Sequence, residues 1–141
     1  MMLTNGVRRA ALKYGVIIVS RHPAAVEFIR QAAGLGTEIP VVDTISAEDL
    51  RAANLIIYGN VPLHIAVLAK AVVAIEFDGV PPRGAEYTLA EMQAVGAHLR
   101  AYRALAVHLL PFDEEGEIFL TDDGRITDNP PPTVGALLAE E

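Results

Sequence analysis

Cysteine is absent from this chain, and with it go thiolate nucleophiles, cysteine-based zinc sites and any disulfide framework of the secreted kind. That absence predicts a reducing compartment, the cytoplasm. Long apolar runs are missing as well. The stretch Gly15-Val16-Ile17-Ile18-Val19 falls far short of the ~18 to 20 apolar residues of a spanning helix, and is too short even for a signal peptide's core. The sequence therefore predicts a soluble, unexported protein with no membrane partner. Positive charge is scarce, with 11 Lys plus Arg against 18 Asp plus Glu and a formal charge of −7. Long DNA or RNA is held chiefly by a broad basic face, so long nucleic acid is excluded as a generic partner, while a small anion held by a few local groups stays open. Nine of the 11 basic residues are arginine, which suits bidentate phosphate or carboxylate contacts, although a GC-rich genome gives the same count.

What is present is apolar: 52% of the 141 residues are hydrophobic and only 6% aromatic. A chain of this length folds as one domain that buries roughly 70% of its unfolded surface, without a staple. Residues 1–13, with Arg8, Arg9 and Lys13, read as a flexible lead-in or a short helix. Val16 to Val19 is a β-branched run of the kind expected in a parallel strand buried on both faces. Ala24 to Ala33 is an amphipathic helix closed by Gly34. The alternation repeats: a strand over Ile39 to Ile45, a helix over Ser46 to Ala53 with Ser46 and Asp49 at capping-box spacing, and a strand over Leu55 to Tyr58. A helix follows from Pro62 to Lys70 and a fourth strand from Val72 to Phe77. Thr88-Leu89-Ala90-Glu91 opens a helix predicted to run to about Arg103, with Leu89, Met92, Val95, Ala97 and Leu99 on its buried side, and Leu105 to Leu109 supplies a fifth strand.

Strands alternating with helices at this interval predict a Rossmann-like α/β domain, a parallel sheet with helices on both faces. Beyond Pro111, Glu117 to Thr121, the turn Asp122-Asp123-Gly124 and Arg125 to Thr127 read as a C-terminal β-hairpin, followed by a tail. The expected organisation is a single domain over 1–141: an N-terminal extension (1–14), the core (15–110), and the hairpin and tail (111–141).

In an open parallel sheet, ligands bind outside the carboxyl ends of the strands. Ser20-Arg21-His22-Pro23 follows the first strand, Gly59-Asn60-Val61-Pro62 the third, and Pro81-Pro82-Arg83-Gly84-Ala85-Glu86 the fourth, all at one edge. Pro23 and Pro62 stand at or near a first helical position, where the next backbone N–H groups face outward. The helix-terminal field favours an anion by about 0.3 to 1 kcal/mol, and each charge-assisted hydrogen bond from Arg21 or Arg83 adds about 1.5 to 3 kcal/mol. Two arginines and two helix N-termini so predict a site for one or two phosphates. Ser20 reads as the cap of the following helix, a role compatible with ligand contact. Arg21 and His22 do nothing for the folding of a buried corner, which marks them as functional. Asn60 reads either as a turn residue or as part of the site. His64, one turn into an apolar helix, is either a half-buried structural histidine or a site residue. Arg83 and Glu86 are either a local ion pair or a ligand contact in a proline-stiffened loop, with Gly84 beside them. His98 and His108 read as structural or surface residues. Gly34-Leu35-Gly36 follows a helix instead of a strand and is no phosphate-binding glycine motif. No two ligand types fall at helical i, i+4 spacing beside an acid at this edge, so neither a metal nor a cofactor is predicted.

Three ordered motifs carry a family likeness: Val-Ser-Arg-His-Pro-x-Ala-Val-Glu-Phe at 19–28, Gly-Asn-Val-Pro-Leu-His at 59–64, and Arg-Gly-x-Glu-x-Thr-x-x-Glu-Met at 83–92, with Gly96, Leu99 and Tyr102 behind them. Over roughly residues 15–105 the chain resembles the Csx-sixteen family, small accessory proteins of type III CRISPR systems. It departs from the family pattern in Ser20 for threonine, Ala24 for glycine, Phe28 for tryptophan, and Asn60 where a smaller residue or threonine is usual. The resemblance implies a ring nuclease that binds and cleaves a cyclic oligoadenylate, cyclic tetra-adenylate above all, and so switches the antiviral response off. A four-fold ring is most simply gripped by a two-fold dimer, so a homodimer is expected. The implied cleavage is metal-independent attack of a ribose 2′-OH on its own 3′-phosphate, leaving linear di-adenylate with a 2′,3′-cyclic phosphate. On that basis Arg21 and Arg83 stabilise charge, His22 carries the proton, Ser20 and the helix N-terminus position the phosphate, and Asn60 and His64 line the site.

Two other classes compete. The same edge serves equally a binding protein that sequesters the ring without cutting it, and product analysis separates the two. Arg-His at the end of a first strand is also similar to histidine phosphatases, but Pro23 stands where those have glycine and no second histidine motif is present. A scaffold without nucleotide binding leaves the arginines of this edge unexplained.

Overall fold

The computed structural model describes residues 3–51, 53–81, 87–109, 118–120 and 126–127. The chain divides into two compact units, Met1–Ala104 and Leu105–Glu141. In the first, α1 (Asn5–Tyr14) leads into β1 (Val16–Val19), α2 (Pro23–Ala33), β2 (Val41–Val42), α3 (Ala47–Arg51), β3 (Ile56–Tyr58), α4 (Leu63–Ala66), β4 (Ala71–Phe77), α5 (Leu89–Ala94) and β5 (Ala97–Tyr102). These strands make one sheet in the order β2-β1-β3-β4-β5, with β5 antiparallel to β4 and the other four parallel. The second unit holds a three-stranded sheet in which β7 (Ile118–Leu120) pairs parallel with β6 (Val107–Leu109) and antiparallel with β8 (Ile126–Thr127). No helix among the described residues is long and apolar enough to cross a membrane.

Four β-branched residues in a row make β1 the spine of the first unit. Successive side chains of a strand point to opposite faces. Ile17 and Val19 accordingly enter a core with Ala11 of α1, Leu50 of α3, and Ile65 and Ala66 of α4. Ile18 turns the other way, into a core with Ala25, Phe28 and Ile29 of α2 and Met92 of α5. Helices therefore cover both faces, and the Rossmann-like α/β class read from the sequence is the one observed. Gly34 closes α2 at φ 68, and Thr88 with Glu91 forms the capping box of α5. The hairpin near the C-terminus is present as β7 and β8, while the turn 122–124 and the tail from 128 onward lie outside the described residues.

Of the two readings of the lead-in, the short helix is the one observed: ten residues, capped by Thr4, whose hydroxyl accepts from the Val7 amide. Other elements differ from expectation. The strand expected over Ile39 to Ile45 is only Val41–Val42, and the helix expected over Pro62 to Lys70 is the single turn Leu63–Ala66. The helix expected to reach Arg103 stops at Ala94. Gly96, at φ 73, turns the chain back, and the alternation Ala97-His98-Leu99-Arg100-Ala101-Tyr102 is a strand's period of two. That segment, and not Leu105 to Leu109, is the fifth strand of the first sheet, and it makes the sheet mixed instead of wholly parallel.

A buried carboxylate ties α1 to α3. The Asp49 side chain is fully buried, and its Oδ1 accepts from the Leu3 amide at 3.1 Å and from the Arg8 guanidinium at 3.2 Å. Its Oδ2 accepts from the Ser46 hydroxyl at 2.8 Å, while the Asp49 amide returns a bond to that hydroxyl at 3.2 Å. Ser46 and Asp49 thus form the capping pair their spacing predicts, with a long-range partner in addition. Burial by itself would raise the carboxyl's pKa. The bonds from Leu3, Ser46 and Arg8 outweigh it and hold the group below its ordinary 3.8.

The strand order places the site. From β1 the chain runs through α2 on one face to β2, then back through α3 on the opposite face to β3 on the other flank of β1. The connections leaving β1 and β3 diverge to opposite faces, and a crevice opens where they part. Two residues after β3 hold its floor. The Gly59 amide donates to the Val73 carbonyl at 2.9 Å, and its φ of 141° is a conformation that side-chain-bearing residues rarely adopt. A Cβ at that position would lie 2.1 Å from the Val19 carbonyl oxygen, so glycine is what lets the ends of β1 and β3 close together. Asn60 then extends the ladder with its side chain, Oδ1 accepting from the Ile75 amide at 2.9 Å and Nδ2 donating to the Ile75 carbonyl at 3.2 Å.

Gly59→Ala is expected to lower unfolding free energy by on the order of 2 to 4 kcal/mol in urea titrations, since both strain and a backbone clash oppose it. Arg8→Ala is expected to cost about 1 to 3 kcal/mol, the worth of a hydrogen bond to a charged group. Because folding lowers the Asp49 pKa, its contribution is complete above the carboxyl's unfolded value and is lost as pH falls through the lower folded one. Asp49→Asn should therefore start less stable at neutral pH and lose less stability than the parent below about pH 4, read from urea midpoints across pH.

Candidate functional site

A cavity of about 790 Å3 occupies the crevice. Its rim comes from three loops: Ser20, Arg21 and His22 after β1, Asp43, Thr44 and Ser46 after β2, and Gly59, Asn60, Pro62 and His64 after β3. Ala25, Ile29, Ile65, Ile75 and Phe77 form an apolar floor, and Tyr87 closes one side. Both the volume and the mixture of an apolar floor with a few polar groups are those of small-molecule sites.

Local sequence explains each position. His22 is the N-cap of α2 in extended backbone (φ −104, ψ 116), with Pro23 next at the start of the helix. The cap role expected of Ser20 falls instead to His22, whose side chain makes no cap bond. Ser20 sits two residues earlier, where its Oγ accepts from the His22 amide at 3.2 Å and fixes the bend. The first turn of α2 carries no acidic side chain, so the positive end of an 11-residue helix dipole faces the crevice uncompensated. The second helix terminus expected at Pro62 does not match it. Pro62 is itself the N-cap of α4, a single turn with little dipole to offer.

Charge is distributed unevenly around the rim. Arg21 is exposed, and among the described residues it has no ion-pair partner. His22 is half-buried, and its imidazole lies against the Tyr87 ring with centroids 4.9 Å apart and planes tilted by 36°. Burial raises the Tyr87 pKa above its ordinary 10.0, so the phenol keeps its proton and remains a donor at neutral pH. His64, also in the lining, is exposed. Among the described lining residues Asp43 is the sole carboxylate. The arrangement provides cationic and N–H donors for an anion near β1, an acceptor and hydroxyls beyond β2, and a group at His22 able to move a proton.

Of the residues singled out in the sequence, Ser20, Arg21, His22, Gly59, Asn60, Pro62 and His64 line one cavity, and Pro23 begins the helix that points at it. Asn60 is committed through its whole amide to Ile75, so its role in holding the floor is the one its geometry displays. Arg83, Gly84 and Glu86 lie outside the described residues. His98 is exposed on β5, 3.8 Å from Glu76 and 3.6 Å from Asp78, a surface cluster away from the lining. Sequence reasoning missed Asp43, Thr44 and Tyr87. The first two were hidden by a strand drawn through to Ile45, although two adjacent polar residues at the end of an apolar run were the signal that it had already ended.

A model of the family described as "Putative CRISPR-associated protein (Cas_VVA1548)" matches residues 17–105. That span is well over half the chain and runs from β1 to just beyond β5, with every described lining residue of the cavity inside it. No curated protein and no solved structure matches the chain. By the extent of the family match, the chain belongs to this CRISPR-associated family.

Proposed function

We propose that the protein is a ring nuclease of the Csx-sixteen kind, which binds cyclic tetra-adenylate in the crevice at β1 and β3 and cleaves it. The observation that carries this is the meeting, at one sheet edge, of an Arg21 without an ion-pair partner among the described residues, the uncompensated N-terminus of α2 and the imidazole of His22. Membership of a CRISPR-associated family and the three motifs read from the sequence support the choice of ligand. A cavity of about 790 Å3 is in the range that encloses one drug-sized molecule, so a ring of four nucleotides would be gripped by two copies of the chain. A homodimer related by a two-fold axis presents the same loops to opposite phosphates of the ring.

The chemistry follows from RNA itself. The ribose 2′-oxygen attacks the adjacent 3′-phosphorus, the bond to the neighbouring 5′-oxygen breaks, and the products are a 2′,3′-cyclic phosphate and a 5′-hydroxyl. Two such cuts turn cyclic tetra-adenylate into two linear di-adenylates. His22 takes the 2′-proton or returns one to the leaving 5′-oxygen, because imidazole is the side chain suited to both steps near neutral pH. Arg21, the α2 N-terminus and Arg83, which follows β4 in the sequence, hold the phosphoryl oxygens as their charge grows. Ser20 keeps the bend at which phosphate and imidazole meet.

Incubation with cyclic tetra-adenylate in EDTA, followed by chromatography, is expected to give linear di-adenylate ending in a 2′,3′-cyclic phosphate. His22→Ala is expected to lower kcat by about 10²- to 10⁴-fold, the usual worth of a positioned acid or base, with the ring still bound. Arg21→Ala is expected to weaken binding and turnover together. An intact ring that co-elutes with the parent protein would instead make it a sequestering protein, and an intact ring left free in solution would overturn the assignment.

A further inference from the structure

Among the described lining residues, Asp43 is the one whose charge opposes phosphate. It stands just past the end of β2: Val19 pairs with Val42, and the Ser20 amide donates to the Val42 carbonyl at 2.9 Å. Asp43 is therefore one residue beyond the ladder, about one strand spacing (~4.8 Å) from the Ser20-Arg21 corner. Its carboxylate is exposed, no hydrogen bond or ion pair occupies it among the described residues, and the cap of α3 is supplied by Ser46 instead. Folding thus does not account for an acid here. A carboxylate accepts hydrogen bonds and, unlike Arg21, repels phosphoryl oxygens. The part of a ligand it takes must be a neutral donor that lies next to a phosphate, and in a nucleotide that group is a ribose hydroxyl. Acidic residues at the ends of second strands in dinucleotide-binding sheets hold ribose in this way, about 20 residues after the phosphate-binding turn. Asp43 follows Arg21 by a comparable interval.

We propose that Asp43 determines specificity for ribose over deoxyribose, accepting a hydrogen bond from the 2′-OH of the nucleotide whose phosphate lies at Arg21 and α2. The assignment deepens the function proposed above and rests on it for the choice of nucleotide. Phosphate and ribose are then fixed from two neighbouring strands, and the hydroxyl is oriented before any proton leaves it. An analogue that lacks the hydroxyl forgoes this charge-assisted hydrogen bond and binds less tightly.

The test compares cyclic tetra-adenylate with its all-2′-deoxy counterpart by stopped-flow binding, read before any cleavage, for the parent, Asp43→Ala, Asp43→Asn and Arg21→Ala. The parent is expected to favour the ribose ring by about tenfold or more, the scale of one charge-assisted hydrogen bond. Asp43→Ala should bring that preference close to one, Asp43→Asn should retain part of it, and Arg21→Ala should weaken both rings in equal proportion. An unchanged preference in Asp43→Ala, with thermal stability intact, overturns the assignment of Asp43 and leaves ring binding standing. Should the parent bind neither ring, the proposed function falls, and the comparison is made with adenosine 5′-monophosphate and its 2′-deoxy analogue by NMR titration. A preference there that Asp43→Ala abolishes upholds the ribose role without the ring, and no preference, or no binding, overturns it.

Discussion

Everything in the first unit hangs on β1 being buried on both faces while having a strand on each flank. A run of Val-Ile-Ile-Val cannot be stable in any position with a wet face, so helices must pack above and below it. Once they do, the connection that leaves toward β2 and the one that returns to β3 lie on opposite faces. The crevice between them is thus a by-product of burying four aliphatic side chains. Specific residues then shape what topology opens: Gly59 allows the two strand ends to approach, and Asn60 pins the neighbouring strand with a side-chain amide in place of a backbone one.

Electrostatics within that crevice reconcile a chain of formal charge −7 with the anionic ligand proposed for it. At ordinary ionic strength exposed charges are screened beyond about 8 to 10 Å, so distant carboxylates matter less at the rim than the groups lining it. There the first turn of α2 offers backbone N–H groups and no acid, and Arg21 stands beside it. Local donors outweigh the net charge because the distances that count are a few ångströms.

The fold class and part of the candidate site were legible in the sequence for a common reason: both were written in contiguous runs. The β-branched stretch at Val16 to Val19, the Gly34 stop and the Thr88–Glu91 box each act within one turn or one strand, and each occurs where the residues indicate. Arg21 and His22 were visible because nothing local explains them. Features that depend on distant partners were not legible. The end of α5 is set by Gly96 turning the chain onto β4, and an apolar pattern at Leu89, Met92, Val95, Ala97 and Leu99 suits a helix until the partner strand is known. Asp43 and Tyr87 become site residues only when the sheet order brings β2 and the start of α5 to the same crevice. Asp49 read as an ordinary capping residue, since nothing near it in sequence announces Arg8 and Leu3, more than 40 residues away.

The Asp49 tie also bears on where the independently folding piece begins. The family match starts at residue 17, after α1, yet the carboxylate it encloses is neutralised by a guanidinium and a backbone amide from residues 8 and 3. Excising the matched segment alone would take the Leu3 and Arg8 donors away from Asp49, and would strip Ala11 from the core beneath it. The N-terminal helix therefore belongs to the same folded unit as the matched segment, although the family pattern begins after it.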